Sequence, residues 1–211
     1  AKNHTPDRKA KNCIMEIVLA TRNRKKVEEI KRITEGMPIT IFTIDDFPGC
    51  PDVLEDGMTF EENARKKALT VAKYTGKPAL ADDSGLEVQA LGGAPGTLSA
   101  RYAGEDADDE KNIDKLLQEM LTVPETERGA RFVCCILLAY PDGRMCSFFG
   151  YSEGNIGREK KGTKGFGYDP VFCPAGNIRT FAEMSNSEKD ALSHRGEALK
   201  KFYNYLKKLN Y

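Results

Sequence analysis

Strand-like and helix-like segments alternate along the first half of the chain, and a hairpin breaks the alternation in the middle. Met15 to Ala20 is a short apolar run that reads as a buried strand. Thr21 and Asn23 follow, either able to cap a helix start, and Val27, Ile30 and Ile33 then recur at helical spacing. Ile39 to Ile44 is a second strand, and the stretch Asp45 to Gly57, with Pro48, Gly49 and Pro51 among its acidic residues, has loop composition. Thr59-Phe60-Glu61-Glu62 matches a capping box and predicts a helix to about Tyr74, with Ala64, Ala68, Val71 and Ala72 on one face. Pro78 to Ala81 reads as a strand that ends in Asp82-Asp83, Leu91 to Gly96 as a loop, and Asp108 to Leu121 as an amphipathic helix. Arg131 to Tyr140 is strongly β-prone, and Pro141-Asp142-Gly143 turns it back into Met145 to Tyr151. Gly154 to Asp169 reads as the longest irregular stretch, and Ser187 to Leu209 as one or two helices. This order predicts an α/β fold with a mixed sheet and helices packed against it.

At 211 residues the chain suits one domain with room for a second lobe. Its 32 Lys and Arg balance 32 Asp and Glu, which argues against a sequence-independent hold on nucleic acid and leaves a local site for a small anion open. No stretch approaches the roughly 20 apolar residues of a membrane helix. The first 13 residues are polar and basic, lack the apolar core of a signal peptide and contain no Met. They read as a tail, added or left by processing, so the folded domain is expected over 14–211. Six cysteines (Cys13, Cys50, Cys134, Cys135, Cys146, Cys173) form no C-x-x-C pair, which points to a reduced, cytoplasmic setting and to oxygen ligands for any metal.

Four segments carry candidate chemistry. Thr21-Arg22-Asn23-Arg24-Lys25-Lys26 lies between a strand and a helix, where backbone N–H groups and the helix dipole make an anion site; the alternative is a solvated basic face with Asn23 as a simple cap. Asp82-Asp83-Ser84-Gly85 offers carboxylate oxygens suited to Mg²⁺ and to water activation; the alternative is a capped turn. Gly162 to Pro170 places Phe166 and Tyr168 among glycines that let a ligand approach the backbone; the alternative is a loop whose aromatics tuck into the core. Gly157, Gly162, Thr163 and Lys164 make a near miss to a phosphate-binding P-loop, but the Thr-Lys order and the context are wrong. Ser193-His194-Arg195 offers a helix cap and one of only two histidines, and no Ser or Cys shows a relay for covalent catalysis.

Taken in order, these segments resemble the inosine/xanthosine triphosphate pyrophosphatases. The resemblance rests on Leu19 to Lys26, Thr59 to Ala64, Ala81 to Leu86, Leu91 to Gly96, Ser99 to Tyr102, Gly165 to Pro170 and Ser193 to Arg195, and it covers nearly everything from Met15 to Leu206. It implies a long mixed sheet flanked by helices in two lobes, a central nucleotide-binding cleft, and usually a homodimer. It implies Mg²⁺-dependent hydrolysis of ITP, dITP and XTP to monophosphate and pyrophosphate. On this likeness Thr21, Arg22, Asn23, Arg24, Lys25 and Lys26 cradle the triphosphate, Lys26 being also catalytic. Asp83 is the acid/base residue and a metal ligand, Glu55 a second metal carboxylate, and Lys67 a basic residue near the phosphates. Ser84 contacts the nucleotide, and Phe166, Gly167, Tyr168, Asp169, Lys189, His194 and Arg195 surround base and sugar. Lys164 departs from the family pattern, which often has Gly there. A 6-keto purine accepts where adenine donates, and a site built on a buried donor such as His194, Arg195 or a backbone N–H discriminates by roughly 10⁴. Two other readings stay open: a pyrophosphatase for pyrimidine or modified nucleotides, and a non-catalytic nucleotide-binding module.

Overall fold

The computed structural model describes residues 14–209; the tail read at 1–13 lies outside the described residues. Eleven elements frame the site. They are β1 (Met15–Leu19), α1 (Arg24–Ile33), β2 (Ile39–Thr43), α2 (Phe60–Thr75), β3 (Ala79–Val88), α3 (Asp109–Glu119), β4 (Gly129–Ala139), β5 (Met145–Ile156), β6 (Phe172–Pro174), α4 (Asn186–Leu192) and α5 (His194–Lys208). The strands form one mixed sheet in the order β2-β1-β3-β4-β5-β6. β1 pairs parallel with β2 and β3, and the strands from β3 to β6 pair antiparallel. This is the α/β mixed sheet expected from the sequence.

The helices start where the local chemistry dictates. Asn23 accepts from the Lys26 amide at the head of α1, Thr59 from the Glu62 amide at the head of α2, and Asp108 from the Lys111 amide at the head of α3. Gly76, left-handed at φ 67°, closes α2. α2 lays Ala64, Ala68 and Val71 on one face of the sheet against Val18, Ala81 and Leu137. α1 and α5 cover the opposite face, where Ile30, Leu199 and Phe202 meet Ile17, Leu80 and Ile136. A third core, built by Leu86, Ile113, Leu116, Phe132 and Phe172, lies farther along the long strands.

Those strands differ most from the sequence reading. β3 does not end at Asp82-Asp83; it continues through both carboxylates to Val88, paired residue for residue with β4. The capped-turn alternative for that segment falls with it. β5 likewise runs on to Ile156 rather than stopping at Tyr151, so the irregular stretch begins at Gly157, and Phe172–Pro174 is a short sixth strand absent from the reading. The C-terminal segment is two helices, divided at Ser193, whose side chain caps α5. β3 leaves the first two cores at Ala81 and enters the third at Leu86. The four residues between are Asp82, Asp83, Ser84 and Gly85, so the polar segment sits where one hydrophobic core gives way to the next.

Candidate active site

Successive strand residues point to opposite faces, and this separates the two carboxylates. Asp83 faces α2. Lys67, in the middle of that helix, directs its ammonium to Asp83 Oδ1 at 2.8 Å, Glu55 Oε2 at 3.0 Å and the Asp82 carbonyl at 2.9 Å. All three ammonium donors are thereby engaged. Asn63, one turn earlier, donates to Asp83 Oδ2 at 3.3 Å while its own oxygen accepts from the Gly57 amide at 2.7 Å. Lys67 thus holds carboxylates in this structure. Burial pushes Asp83 up to about 6; Lys67 and Lys26 oppose that shift, and a hydrogen bond shared with Glu55 adds to it. Burial acts upward on Glu55 as well, but Lys67 outweighs it and the carboxyl lies below its ordinary value. Two hard carboxylates side by side, one partly solvated, fit Mg²⁺, which takes one or two protein carboxylates and completes its shell with water and phosphate.

Asp82 faces the other way and is fully enclosed. Arg195 donates to it through Nε at 2.7 Å and Nη2 at 3.3 Å, Lys26 Nζ lies 2.7 Å from Oδ1, and Ser84 Oγ and Cys134 Sγ complete its partners. Burial opposes ionisation, but Arg195 and then Lys26 overcome it and hold Asp82 well below the usual carboxylate range. Asp82 therefore anchors two cations and points away from the Asp83–Glu55 pair.

The loop before α1 divides its cations. Arg22 turns to Asp52 at 2.7 Å and to the Cys50 carbonyl, Lys25 reaches Asp109 at 3.0 Å, and Lys26 goes to Asp82. Arg24 is exposed on the first turn of the helix. Thr21 accepts from the Asn23 amide at 3.1 Å. Asn23 borders two cavities. One is lined by Thr21, Arg22, Glu55 and Lys67; the other by Lys26, Ser84, Phe166, Lys189, His194 and Arg195.

The second cavity holds about 640 Å³, its open mouth included. Phe166 stands with Lys189 Nζ 5.0 Å and Arg195 Cζ 5.7 Å from its ring centre. Asp169 fixes this loop by accepting from the Phe166 amide at 2.9 Å and from Lys189 at 2.6 Å. Gly165, at φ 75°, is required here because any Cβ would collide with the Asp169 carboxylate. The Gly167 amide donates to Asp109 at 3.0 Å. Tyr168 borders the cavity but spends its hydroxyl on the Ser99 carbonyl at 2.8 Å and packs in the third core. His194, first residue of α5, stacks on Phe132 at 4.6 Å with planes 8° apart. Burial, then the Arg195 charge, keeps its imidazole neutral, and Nδ1 is buried with no partner among the described residues. Lys164 lies on a separate outer groove beside Gly165.

Most of the expected residues therefore border one of two cavities that share Asn23, whereas Asp83 sits behind Glu55 and Lys67, Lys25 lines the outer groove and Arg24 lines neither cavity. Glu29, Asn63, Asp109 and Phe132 were not among the expected residues. Two carried a signal: Asn63 falls one helical turn before Lys67, and Glu29 three residues after Lys26, each placing a polar group on a face that helical spacing sends inward.

Residues 17–205 match the Ham1 family. The chain belongs to that family. It is 52% identical over 183 residues to a dITP/XTP pyrophosphatase of Geobacter sulfurreducens, covering 87% of this chain and 92% of the relative. It is 50% identical over 195 residues to a dITP/XTP pyrophosphatase of Desulforamulus reducens, covering 92% and 97%. A solved HAM1 protein from Coxiella burnetii superposes with a TM-score of 0.84 at 42% identity, over 92% of this chain and 99% of that one.

Proposed function

We propose that this Ham1-family protein is a Mg²⁺-dependent hydrolase that converts dITP, ITP and XTP to the monophosphate and pyrophosphate. The observation that carries the reading is the division of labour across β3. Asp83, raised to about 6, sits behind Glu55 and Lys67, which line one cavity, and a donor-rich pocket with an aromatic ring, lined by Lys26, Phe166, Lys189 and Arg195, opens from the other face. The activity of the dITP/XTP pyrophosphatases that the chain resembles agrees with it.

The base enters beside Phe166, where Lys189 and Arg195 offer donors to a 6-keto edge. The phosphates pass over Asn23 and Lys26 toward Asp83. The Lys26 charge and the amides at the start of α1 stabilise the phosphates. Asp83 takes the proton of the attacking water, whose oxygen bonds to the α-phosphorus while the α–β bridging oxygen leaves with pyrophosphate. Lys67 and Asn63 keep Asp83 turned toward Glu55. Asp83 and Glu55 would hold Mg²⁺, which neutralises phosphate charge and orients the leaving group.

A homodimer is part of this reading. Met58 and Leu98 are exposed beside Phe149 around one shallow cavity, an apolar strip that a second copy would cover. A reducing, cytoplasmic setting fits the five unpaired thiols among the described residues. The test is product analysis with Mg²⁺ on dITP, XTP, ATP and dTTP. Pyrophosphate and monophosphate from dITP and XTP, with little from ATP, are expected. Orthophosphate with diphosphate would place attack at the γ-phosphorus and overturn the mechanism, and tight dITP binding without turnover would make the chain a binding module.

A further inference from the structure

Glu29 lies on α1 outside every segment that carried the resemblance, yet it is only 3% exposed. One oxygen sits 2.9 Å from Lys189 Nζ, and the other accepts from Arg195 Nη1. Among the described residues it is the one carboxylate that touches both cations. Asp82 binds Arg195 and Lys26 but not Lys189, and Asp169 binds Lys189 but not Arg195. Arg32 approaches Glu29 at 3.8 Å from behind and is itself held bidentately by Asp190 at 2.7 and 2.8 Å. The carboxylate is thus braced between α1, α4 and α5.

The donor count gives this brace a consequence. Of the five Arg195 N–H groups, one goes to Glu29, two to Asp82 and one to Ser84 Oγ, so one is left without a partner among the described residues. Of three Lys189 donors, Glu29 and Asp169 take two. Each cation therefore keeps one donor for a ligand, and Glu29 sets the spacing between the two.

We propose that Glu29 is a positioning residue for base selectivity: it fixes Arg195 and Lys189 relative to each other so that their remaining donors meet the acceptor edge of a 6-keto purine. This rests on the pyrophosphatase reading above. Glu29 is ionised at neutral pH, because Arg195 and Lys189 outweigh its burial and bring it to about 2. A glutamine there has one acceptor in place of two and no charge, so it can satisfy one cation only.

The experiment measures kcat and KM for dITP and dATP in the wild type, Glu29→Gln and Glu29→Asp, with thermal melts of each. Wild-type preference for dITP tests the underlying reading; its absence would defeat that reading whatever the variants do. With that preference in hand, Glu29→Gln is expected to lower the dITP-over-dATP ratio of kcat/KM by about tenfold or more, the loss falling on KM for dITP, and Glu29→Asp to recover part of the ratio. Equal losses on both substrates, leaving the ratio unchanged, would show that Glu29 only supports the fold and would overturn the proposal. If Glu29→Gln does not fold, the Asp variant decides: a lowered ratio supports positioning and an unchanged one overturns it.

Discussion

Asp83 and Asp82 are neighbours in sequence with opposite environments, and the difference is one of face. Asp83 has one strong cation and a neighbouring carboxylate; Asp82 has two cations and a hydroxyl. Asp83→Asn is expected to lower kcat on dITP by about 10²–10⁴-fold, the usual worth of a general base, with dITP affinity retained in a calorimetric titration. An unchanged kcat would remove Asp83 from the mechanism. Its protonation can also be followed directly. Because burial raises it to about 6, the metal-free protein is expected to show a carboxyl resonance titrating near pH 6, and Mg²⁺ to move that inflection lower by favouring the ionised form. The base is active above that inflection, so turnover rises with pH through it. An inflection near the ordinary value of about 4, unmoved by Mg²⁺, would contradict both the burial argument and the metal assignment. The nature of these groups was legible in the sequence; their division was not. Two adjacent aspartates look like a strand end because isolated buried carboxylates are costly. What makes them tolerable, Lys67 and Arg195, comes from 15 or more residues away.

At the scale of elements, the site depends on how closely α5 approaches the sheet. Gly150 on β5 lies under the start of that helix, where a Cβ would collide with the His194 carbonyl and the Ala198 amide. Backbone cannot yield as a flexible side chain does, so Gly150→Ala is expected to displace the helix start. The expected cost is about 1–3 kcal/mol by denaturant unfolding, with a raised KM for dITP because His194 and Arg195 move with the helix. An Ala variant as stable as wild type would mean that the packing at this crossing is slack. Most elements could be read from capping residues and apolar spacing: α1, α2 and α3 begin at the residues whose side chains mark them. The strands were harder. β5 passes through Glu153, Gly154 and Asn155 and still pairs with β4 and β6. β6 is a three-residue edge strand. In both, pairing partners far away in sequence decide what local preference leaves open.

Across the whole molecule, three carboxylates (Glu29, Asp82, Asp169) meet three cations (Lys26, Lys189, Arg195) in a mutually bonded group that ties α1, β3, α4 and α5 together. Such a network is weak evidence for stability in itself, since its desolvation offsets its attraction, but removing one member leaves buried charge behind. Arg195→Met leaves three buried carboxylates with two cations, Lys26 and Lys189, so one negative charge is uncompensated, at an expected cost of about 3–5 kcal/mol at pH 7.5. The pH dependence distinguishes this cause from lost packing. In the wild type Asp82 and Glu29 are held below their ordinary values, Glu29 at about 2. Their contribution is therefore present above the unfolded values of about 4 and is lost as pH falls through the folded ones. Without the guanidinium, Lys26 and Lys189 are shared among three buried carboxylates, and for the one left uncompensated burial reverses the sign: that group binds its proton more tightly in the folded variant than in the unfolded chain, so acidification relieves the penalty. The stability gap between wild type and Arg195→Met is accordingly expected to narrow between pH 7.5 and pH 5 in urea unfolding. A gap of the same size at both values would assign the loss to the missing side chain's packing and not to the uncompensated charge.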